Sequence, residues 1–442
     1  MSPISGGDTA WLLISTALVA LMVPGLAFFY GGLVRQKSAL NTMLMSLGAL
    51  AVITVQWVLF GYSLAFAPGS SWLGSLAWAG FRGVTDVANP TYAATLPHVL
   101  FAVYQAMFAG ITVALFSGAV IDRMRYVGYL LFGVLWSTLI YDPLAHWVWG
   151  DGGWLRSLGA LDFAGGTVVH ISAGVTALVL AITLGPRRDF HRVPMVPHNV
   201  PFALLGAGLL WFGWFGFNGG SALAANGIAA NAVLTTHTAA AAALVSWIAL
   251  EYLRGGRATA VGAATGAVVG LVAITPAAGF VSPLSAIAIG ALAAPCSFFA
   301  LQYRAKTRVD DTLDVFACHG VAGIMGAVLT GVFASKAVNP AGADGLLAGN
   351  PQLVGIQLLA VGATVLFAAA GSVAILGALR LVMPLRVAVD VEMTGIDVSE
   401  HGEEAYHGSD LSDLAGRSVP LGDAVVLSAS EMYGAAPAAR RS

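Results

Sequence analysis

Two histidines lie inside long apolar runs, where ionisable side chains are scarce and point to function. His170 stands about six residues into the run 164–185, and His319 about five residues into the run 314–334. No Lys, Arg or Glu falls at the depth of either. An imidazole stripped of water is favoured in its neutral form. A neutral pair holds one N–H donor and one acceptor facing each other. Such a pair suits a small polar molecule or a proton and is poor for a bare metal ion. On residues alone a second chemistry stays open, bis-His ligation of a haem in a membrane oxidoreductase. A single buried histidine bonded to a backbone carbonyl would be structural; two in matching positions favour a working pair.

Each histidine run follows an acid, Asp162 in one case and Asp314 in the other. The placement suits helix N-caps that accept from backbone N–H groups. For Asp162 a second role is compatible, a negative charge near the outer mouth that favours cations. Trp147, Trp149 and Trp154 fall where an apolar run meets the outer face. An aromatic belt accounts for two of them, and the third offers its ring face to a cation. Tyr104 and Phe108 are four apart on one helical face, and Trp211, Trp214, Phe215 and Phe217 crowd the end of the run 200–218. Such rings pack, or beside an aqueous mouth they form a hydrophobic gate. His98, His146 and His237 read as structural residues nearer span ends.

These residues need a membrane scaffold to position them. The chain of 442 residues is 58% hydrophobic and 10% charged, against about 25% charged in an average soluble chain. That excludes a soluble enzyme, a nucleic-acid binder and a disordered scaffold. A net charge of -2 offers no basic surface to nucleic acid. Cys296 and Cys318, buried in apolar runs, make neither a disulfide framework nor a zinc site.

A bilayer crossing takes roughly 20 apolar residues. Eleven runs qualify: 11–34, 40–66, 97–120, 127–147, 164–185, 200–218, 229–252, 259–276, 283–302, 314–334 and 353–382. The eighth is the weakest, mostly Ala, Gly and Val, a composition suited to close helix packing. The first run is too long for a signal h-region and lacks a basic n-region, so it reads as a retained span with the N-terminus outside. The loops after runs 1, 3, 5, 7 and 9 carry 12 Lys and Arg, and the opposite loops carry Arg82, Arg156 and Lys336 only. The positive-inside rule makes the first set cytoplasmic, and an odd span count puts the C-terminus there too. The expected organisation is therefore an all-α polytopic membrane protein, with residues 1–382 in the membrane and a polar tail at 383–442. That tail holds ten acidic residues.

The runs echo one another. Run 1 ends Phe29-Tyr30-Gly31-Gly32 and run 6 ends Phe217-Asn218-Gly219-Gly220; run 5 carries His170-Ile-Ser-Ala-Gly174 and run 10 His319-Gly-Val-Ala-Gly323. Matching positions five spans apart run in opposite directions through the membrane. This is the sign of an inverted repeat of spans 1–5 and 6–10, with the site between them and span 11 peripheral.

At these residues the chain resembles the Amt/Mep/Rh ammonium transporters. The resemblance rests on Pro24-Gly-Leu-Ala-Phe-Phe-Tyr-Gly-Gly32, Asp162-Phe-Ala-Gly-Gly-Thr-Val-Val-His170, Trp211-Phe-Gly-Trp-Phe-Gly-Phe-Asn218 and Asp314-Val-Phe-Ala-Cys-His-Gly320. It extends to the tail, where Gly395-Ile-Asp-Val-Ser-Glu-His-Gly-Glu-Glu-Ala-Tyr406 is similar to the family's cytoplasmic segment. The tail and the motif around Asp162 point to the bacterial Amt branch.

The resemblance implies a multi-pass homotrimer of the plasma (inner) membrane with one pore per subunit, carrying ammonium or ammonia and no cofactor. Methylammonium stays open as a second substrate. Trp149, Ser221, Phe108 and Tyr104 match the outer recruitment site, which Asp162 shapes. Tyr104 stands where a Phe is common. Phe108 and Phe217 match a stacked phenyl gate; His170, His319 and Trp214 match the pore. Gly395, Asp397, His401, Gly402, Glu403 and Tyr406 belong to the regulatory tail, under which a PII-type nitrogen signalling protein would dock. Two alternatives remain at this stage, an ammonium sensor signalling through the tail and an electroneutral ammonia channel.

Overall fold

A backbone in hydrocarbon must satisfy its own N–H and C=O groups, which favours helices. The computed structural model describes residues 4–406. The chain divides after Ala405, and the first unit holds the membrane helices. The stretch 407–442 of the expected tail lies outside the described residues.

In chain order the apolar helices are Gly6–Leu33 (α1), Gln36–Phe66 (α2), His98–Ala119 (α3), Tyr126–Ser157 (α4), Gly166–Leu184 (α5), Val200–Gly220 (α6), Gly227–Gly255 (α7), Ala260–Ile274 (α8), Pro283–Arg304 (α9), Phe316–Phe333 (α10) and Gln352–Val382 (α11). Ten are long and apolar enough to cross a bilayer, and α8 is the shorter one. Its 15 residues rise only about 22 Å against a hydrocarbon core of roughly 30 Å. The sequence run continues to 276, but Pro276 brings no N–H to extend the helix. A two-stranded antiparallel ribbon, Ala88–Asn89 with Ala93–Pro97, lies between α2 and α3.

Short polar residues start several helices by accepting the first orphan N–H groups. Ser5 caps α1 at 3.2 Å, Asn199 caps α6 at 3.0 Å, and Thr259 caps α8 at 2.9 Å. Asn226 accepts from Ile228 and Ala229 at the start of α7.

Close approach of backbones sets the packing. Helix α1 packs most extensively on α6. A Cβ on Gly206 would stand 2.2 Å from the Phe29 amide nitrogen, so only glycine allows that crossing. The two histidine-bearing helices meet in the same way. A Cβ on Gly174 of α5 would stand 2.2 Å from the Gly320 nitrogen of α10.

Four turns within these helices widen to the π form, at Trp57–Gly61, Ser137–Tyr141, Gly166–Ile171 and Phe316–Val321. Single π turns favour functional positions, and the last two carry His170 and His319. Another buried polar group accompanies the second: Asp142 accepts a hydrogen bond from Gln56 at 2.7 Å. It is an ionisable residue inside the run 127–147, beyond the two histidines.

The loops following runs 1, 3, 5 and 9 meet at one end of the bundle. Arg35 pairs with both Asp122 and Asp189. Arg187 binds Asp310 through two nitrogens at 2.8 and 2.9 Å. Arg123, fully buried, donates to the Ala119 carbonyl and Thr312, each at 2.8 Å. Burial pushes its guanidinium down to about 10, despite the neighbouring Asp310. Several of the cations that set the charge asymmetry are thus committed to internal partners.

The Gly174 contact yields a prediction. Gly174→Ala should lower the thermal unfolding temperature of the purified protein, because overpacking costs on the order of 1–3 kcal/mol. Gly208→Ala in α6, whose Cβ would meet nothing within 4 Å, serves as the control and should not. Thermal scans of both variants in detergent check this.

Candidate functional site

Asp162 organises the start of α5. Its carboxylate accepts from the amides of Gly165 at 2.8 Å, Gly166 at 2.6 Å, Thr167 at 2.8 Å and Val168 at 3.3 Å, and from the Thr167 hydroxyl. The capping expectation for Asp162 therefore matches the geometry. Its counterpart on α10 differs from expectation. Asp314 binds Arg304 at 2.6 Å, and the Phe316 amide donates to Asp311 at 2.7 Å. The cap of α10 is Asp311, which precedes His319 by the same eight residues as Asp162 precedes His170. The equal spacing was in the sequence; the nearer Asp314 concealed it.

The π turns bring His170 and His319 face to face. Their Nδ1 atoms are 3.3 Å apart, and the rings lie 22° from parallel with centroids at 5.4 Å. One Nδ1 must carry the proton and the other accept it. The His170 Nε2 atom is buried without a partner. Trp214 stacks on His170 at 5.5 Å and is held by its Nε1–H to Thr275 at 2.9 Å. Around the pair the free space is about 10 Å³, lined by side chains such as Leu26, Ile111, Val169, Trp214 and Phe217. A tetrapyrrole plane cannot enter between nitrogens 3.3 Å apart in so small a space, which removes the bis-His haem reading.

Phe108 and Phe217 stack above the pair, with centroids at 4.2 Å and planes 26° apart. Beyond them lies an outer cavity of about 240 Å³ whose wall includes Phe108, Trp149, Ser221, Gln105, Tyr92 and Arg156. The Trp149 ring stands edge to face with Phe108 at 6.3 Å, and its Nε1–H donates to the Asp162 carbonyl at 2.9 Å. Tyr104 is not part of the wall. It is fully buried, and its hydroxyl is engaged with the carbonyls of Gly216 and Phe217, each at 2.9 Å, and with Ser221 at 3.3 Å. Ser221 itself donates to Phe217 at 2.9 Å. Tyr104 thus fixes the end of α6 from behind and does not face a ligand.

Sequence reasoning passed over Gln105 and Arg156. The Gln105 Oε1 atom is a buried acceptor without a partner, on the wall of the outer cavity. Its position beside Tyr104 and four residues before Ala109 gave no periodic signal. His237 also departs from expectation: it lies about three turns into α7, its ring tilted 39° from that of Trp211 at 5.3 Å, rather than near a span end. His98 and His146 are structural as expected, bonded to Tyr62 at 2.6 Å and between the Ala65 and Ser70 carbonyls. Cys318 is buried, and Cys296 is half-buried.

Below His319 a second cavity of about 170 Å³ is lined by Tyr30, Asp314, Cys318 and His319 among others. Asp314 also lines a wider cavity of about 480 Å³ with Arg35, Arg192 and Arg304. Outer cavity, stacked rings, histidine pair and inner cavities thus follow one another through the bundle.

The tail segment touches the same end as the ion-pair network. Asp397 accepts from the amides of Leu40 and Asn41 at 2.9 and 2.8 Å. Burial pushes its carboxyl up, although both amides favour the ionised form. His401 Nε2 lies 2.9 Å from the Asn41 Oδ1. Lys37 Nζ donates to the carbonyls of Glu392 and Met393, and the Tyr126 amide donates to Glu400 at 2.9 Å. Gly395 and Gly402 take left-handed φ values of 131° and 69° around the short turn Asp397–His401, and the Glu403 amide reaches the Asp397 carbonyl. Tyr406 begins the second unit.

Fold and site together define a multi-pass membrane protein built around a narrow, largely apolar passage that holds a histidine pair. Residues 10–406 match the Ammonium Transporter Family. The chain is 49% identical over 404 residues to an ammonium transporter of Bacillus subtilis, covering 91% of this chain and 99% of the relative. It is 45% identical over 403 residues to the ammonium transporter Amt1 of Archaeoglobus fulgidus, covering 91% of this chain and 100% of the relative. The crystal structure of Saccharomyces cerevisiae Mep2 superposes with a TM-score of 0.81 at 38% identity, covering 88% of this chain and 89% of that one. A structure described as a sensor Amt protein superposes with a TM-score of 0.83 at 30% identity, covering 89% and 98%. The chain belongs to the ammonium transporter family.

The Asp162 network carries a prediction. Asp162→Ala leaves buried amides at Gly165, Gly166 and Thr167 without acceptors, each costing about 1–3 kcal/mol. The variant should unfold at lower temperature and lose ammonium flux together, as scans and vesicle uptake would report.

Proposed function

We propose that the chain recruits ammonium at an outer site, removes its proton, and passes ammonia between His170 and His319. Trp149 and Phe108 offer ring faces to the cation, and Ser221 offers a hydroxyl oxygen. Asp162 shapes this site through the Trp149 indole that its carbonyl holds. Phe108 and Phe217 form the gate; His170, His319 and Trp214 line the pore. Tyr104 contributes by fixing the carbonyls beside Ser221. The single observation that carries the reading is the constriction of about 10 Å³ holding a histidine pair and no formally charged side chain among its lining.

Ammonium and potassium are alike in size and charge. Stripping either of water in an apolar passage is very costly. Ammonium has an escape that potassium lacks, since it can leave a proton behind. The proton either returns to the outside or travels separately along the imidazoles, which would make transport electrogenic.

The architecture we infer has eleven crossings, α8 with the turn after it completing the eighth, as an inverted repeat of spans 1–5 and 6–10. The N-terminus is outside and the tail, 383–442, is cytoplasmic, in a homotrimer of the plasma (inner) membrane. The acidic tail is the docking place for a PII-type nitrogen signalling protein. Its bonds to the starts of α2 and α4 support this, since Gly395, Asp397, His401, Gly402 and Glu403 sit where binding would be felt by the bundle. The likeness to a sensor Amt structure favours one second reading, in which ammonium occupancy is signalled through this tail.

His170→Ala with His319→Ala should abolish selective ammonium flux in liposomes; unchanged flux and selectivity would refute the pore assignment. A saturable current after an ammonium jump, absent with potassium, identifies electrogenic transport. Silence with an internal pH change identifies ammonia conduction. A pull-down with a PII protein across nucleotide conditions should retain it, and no retention under any condition counts against docking.

A further inference from the structure

The outer cavity presents a paradox of charge. Among its lining residues the one formal charge belongs to Arg156, yet the cavity is the place assigned to a cation. The Arg156 guanidinium donates to the Trp149 carbonyl at 2.8 Å, which fixes it beside the recruiting ring. It makes none of the ion pairs found among the described residues. No Asp or Glu stands among the lining residues. The Asp162 carboxylate faces the amides that start α5. Asp151, like Arg156, is exposed, and its amide donates to the Tyr92 hydroxyl at 3.0 Å.

We infer that Arg156 sets the ammonium affinity of the outer site by like-charge repulsion. The inference rests on the recruitment reading above. A fixed positive charge weakens occupancy of a neighbouring cation site, and it does so through a field that salt screens. The same field disfavours the charged form of a bound ammonium relative to ammonia. Arg156 therefore keeps the site from holding its cation too tightly to release it.

Arg156→Gln removes the charge and retains a donor for the Trp149 carbonyl; Arg156→Lys retains the charge and loses the planar fork. With full-length protein in neutral-lipid vesicles, ammonium chloride uptake gives KM at low and high sodium chloride. Arg156→Gln should lower KM about three- to tenfold at low salt, the scale of one like charge near the site. Wild-type KM should fall as salt rises, Arg156→Lys should follow it, and Arg156→Gln should stay flat. A KM that is unchanged or raised in Arg156→Gln, or a wild-type KM that ignores salt, overturns the inference. A purely structural role would raise KM in both variants without altering the salt response. Trp149→Leu, run alongside, should raise KM; if it does not, the recruitment reading itself fails, whatever Arg156 does.

Discussion

Gly174 lies against the backbone of Gly320 with no room for a single carbon between them. His170 is one helical turn before Gly174, and His319 immediately precedes Gly320. The two imidazoles therefore inherit their separation from a backbone contact, not from their own side-chain freedom. A Cβ at Gly174 would press on the Gly320 backbone and push the helices apart, whereas one at Gly320 would meet the Phe316 ring of its own helix first. The two carboxylate caps complete the constraint. Asp162 and Asp311 each hold the first turn of a histidine-bearing helix, and both first turns are wide π turns. Both histidines lie within these widened turns, and their rings face one another at 5.4 Å.

From that geometry the character of the passage follows. The rings around the histidine pair leave little free volume, and no charged side chain compensates an entering ion. Any species crossing there must shed both water and charge, or the barrier is prohibitive. The outer cavity is different in kind. It is larger, and it is walled by aromatic faces with an orphaned amide oxygen at Gln105 and one guanidinium. Weak, adjustable attraction for a cation is what such a wall offers, whereas the constriction beyond offers none. At the other end the loops are cross-linked by buried ion pairs, and the tail caps two helices with Asp397 and Glu400. Removing one partner of a buried pair leaves an uncompensated charge, so the loop network is costly to break, and the tail joins that end through hydrogen bonds of Asp397, Glu400 and Lys37.

The membrane character, the placement of most helices and the family were legible along the chain because each rests on local composition or on contiguous motifs. Long apolar runs report helices directly, since nothing else satisfies a backbone in lipid. The histidines were legible because an ionisable group in such a run is unusual. The cap of α10 was misassigned to Asp314 because proximity in sequence favoured it; the chain turns there with Asp314 at a φ of 56°, and Asp311 reaches the amide instead. Tyr104 shares a helical face with Phe108, which suggested a common role, but four residues along a helix span a full turn. One ring meets the cavity and the other meets the carbonyls at the end of α6. Asp142, an acid inside the run 127–147, carries the same signal as the histidines; Gln105 and Arg156 carried none, since a polar residue's meaning there depends on which cavity or partner it meets.

The sequence by itself determined the apolar helices, the acid-to-histidine spacing of eight residues in both halves, and the glycines that permit close crossing. Those are properties of single segments, and the physics that enforces them acts within a turn or two of the residue concerned. Only the tertiary structure decided that the two imidazoles meet through Nδ1, that Tyr104 turns away from the outer cavity while Gln105 and Arg156 face it, and that the cations of the loops after α1, α3, α5 and α9 pair with one another's aspartates. Most of those outcomes depend on contacts between residues far apart in the chain, such as the 149 positions between the histidines, where the register of one helix against another selects which side chains share a space.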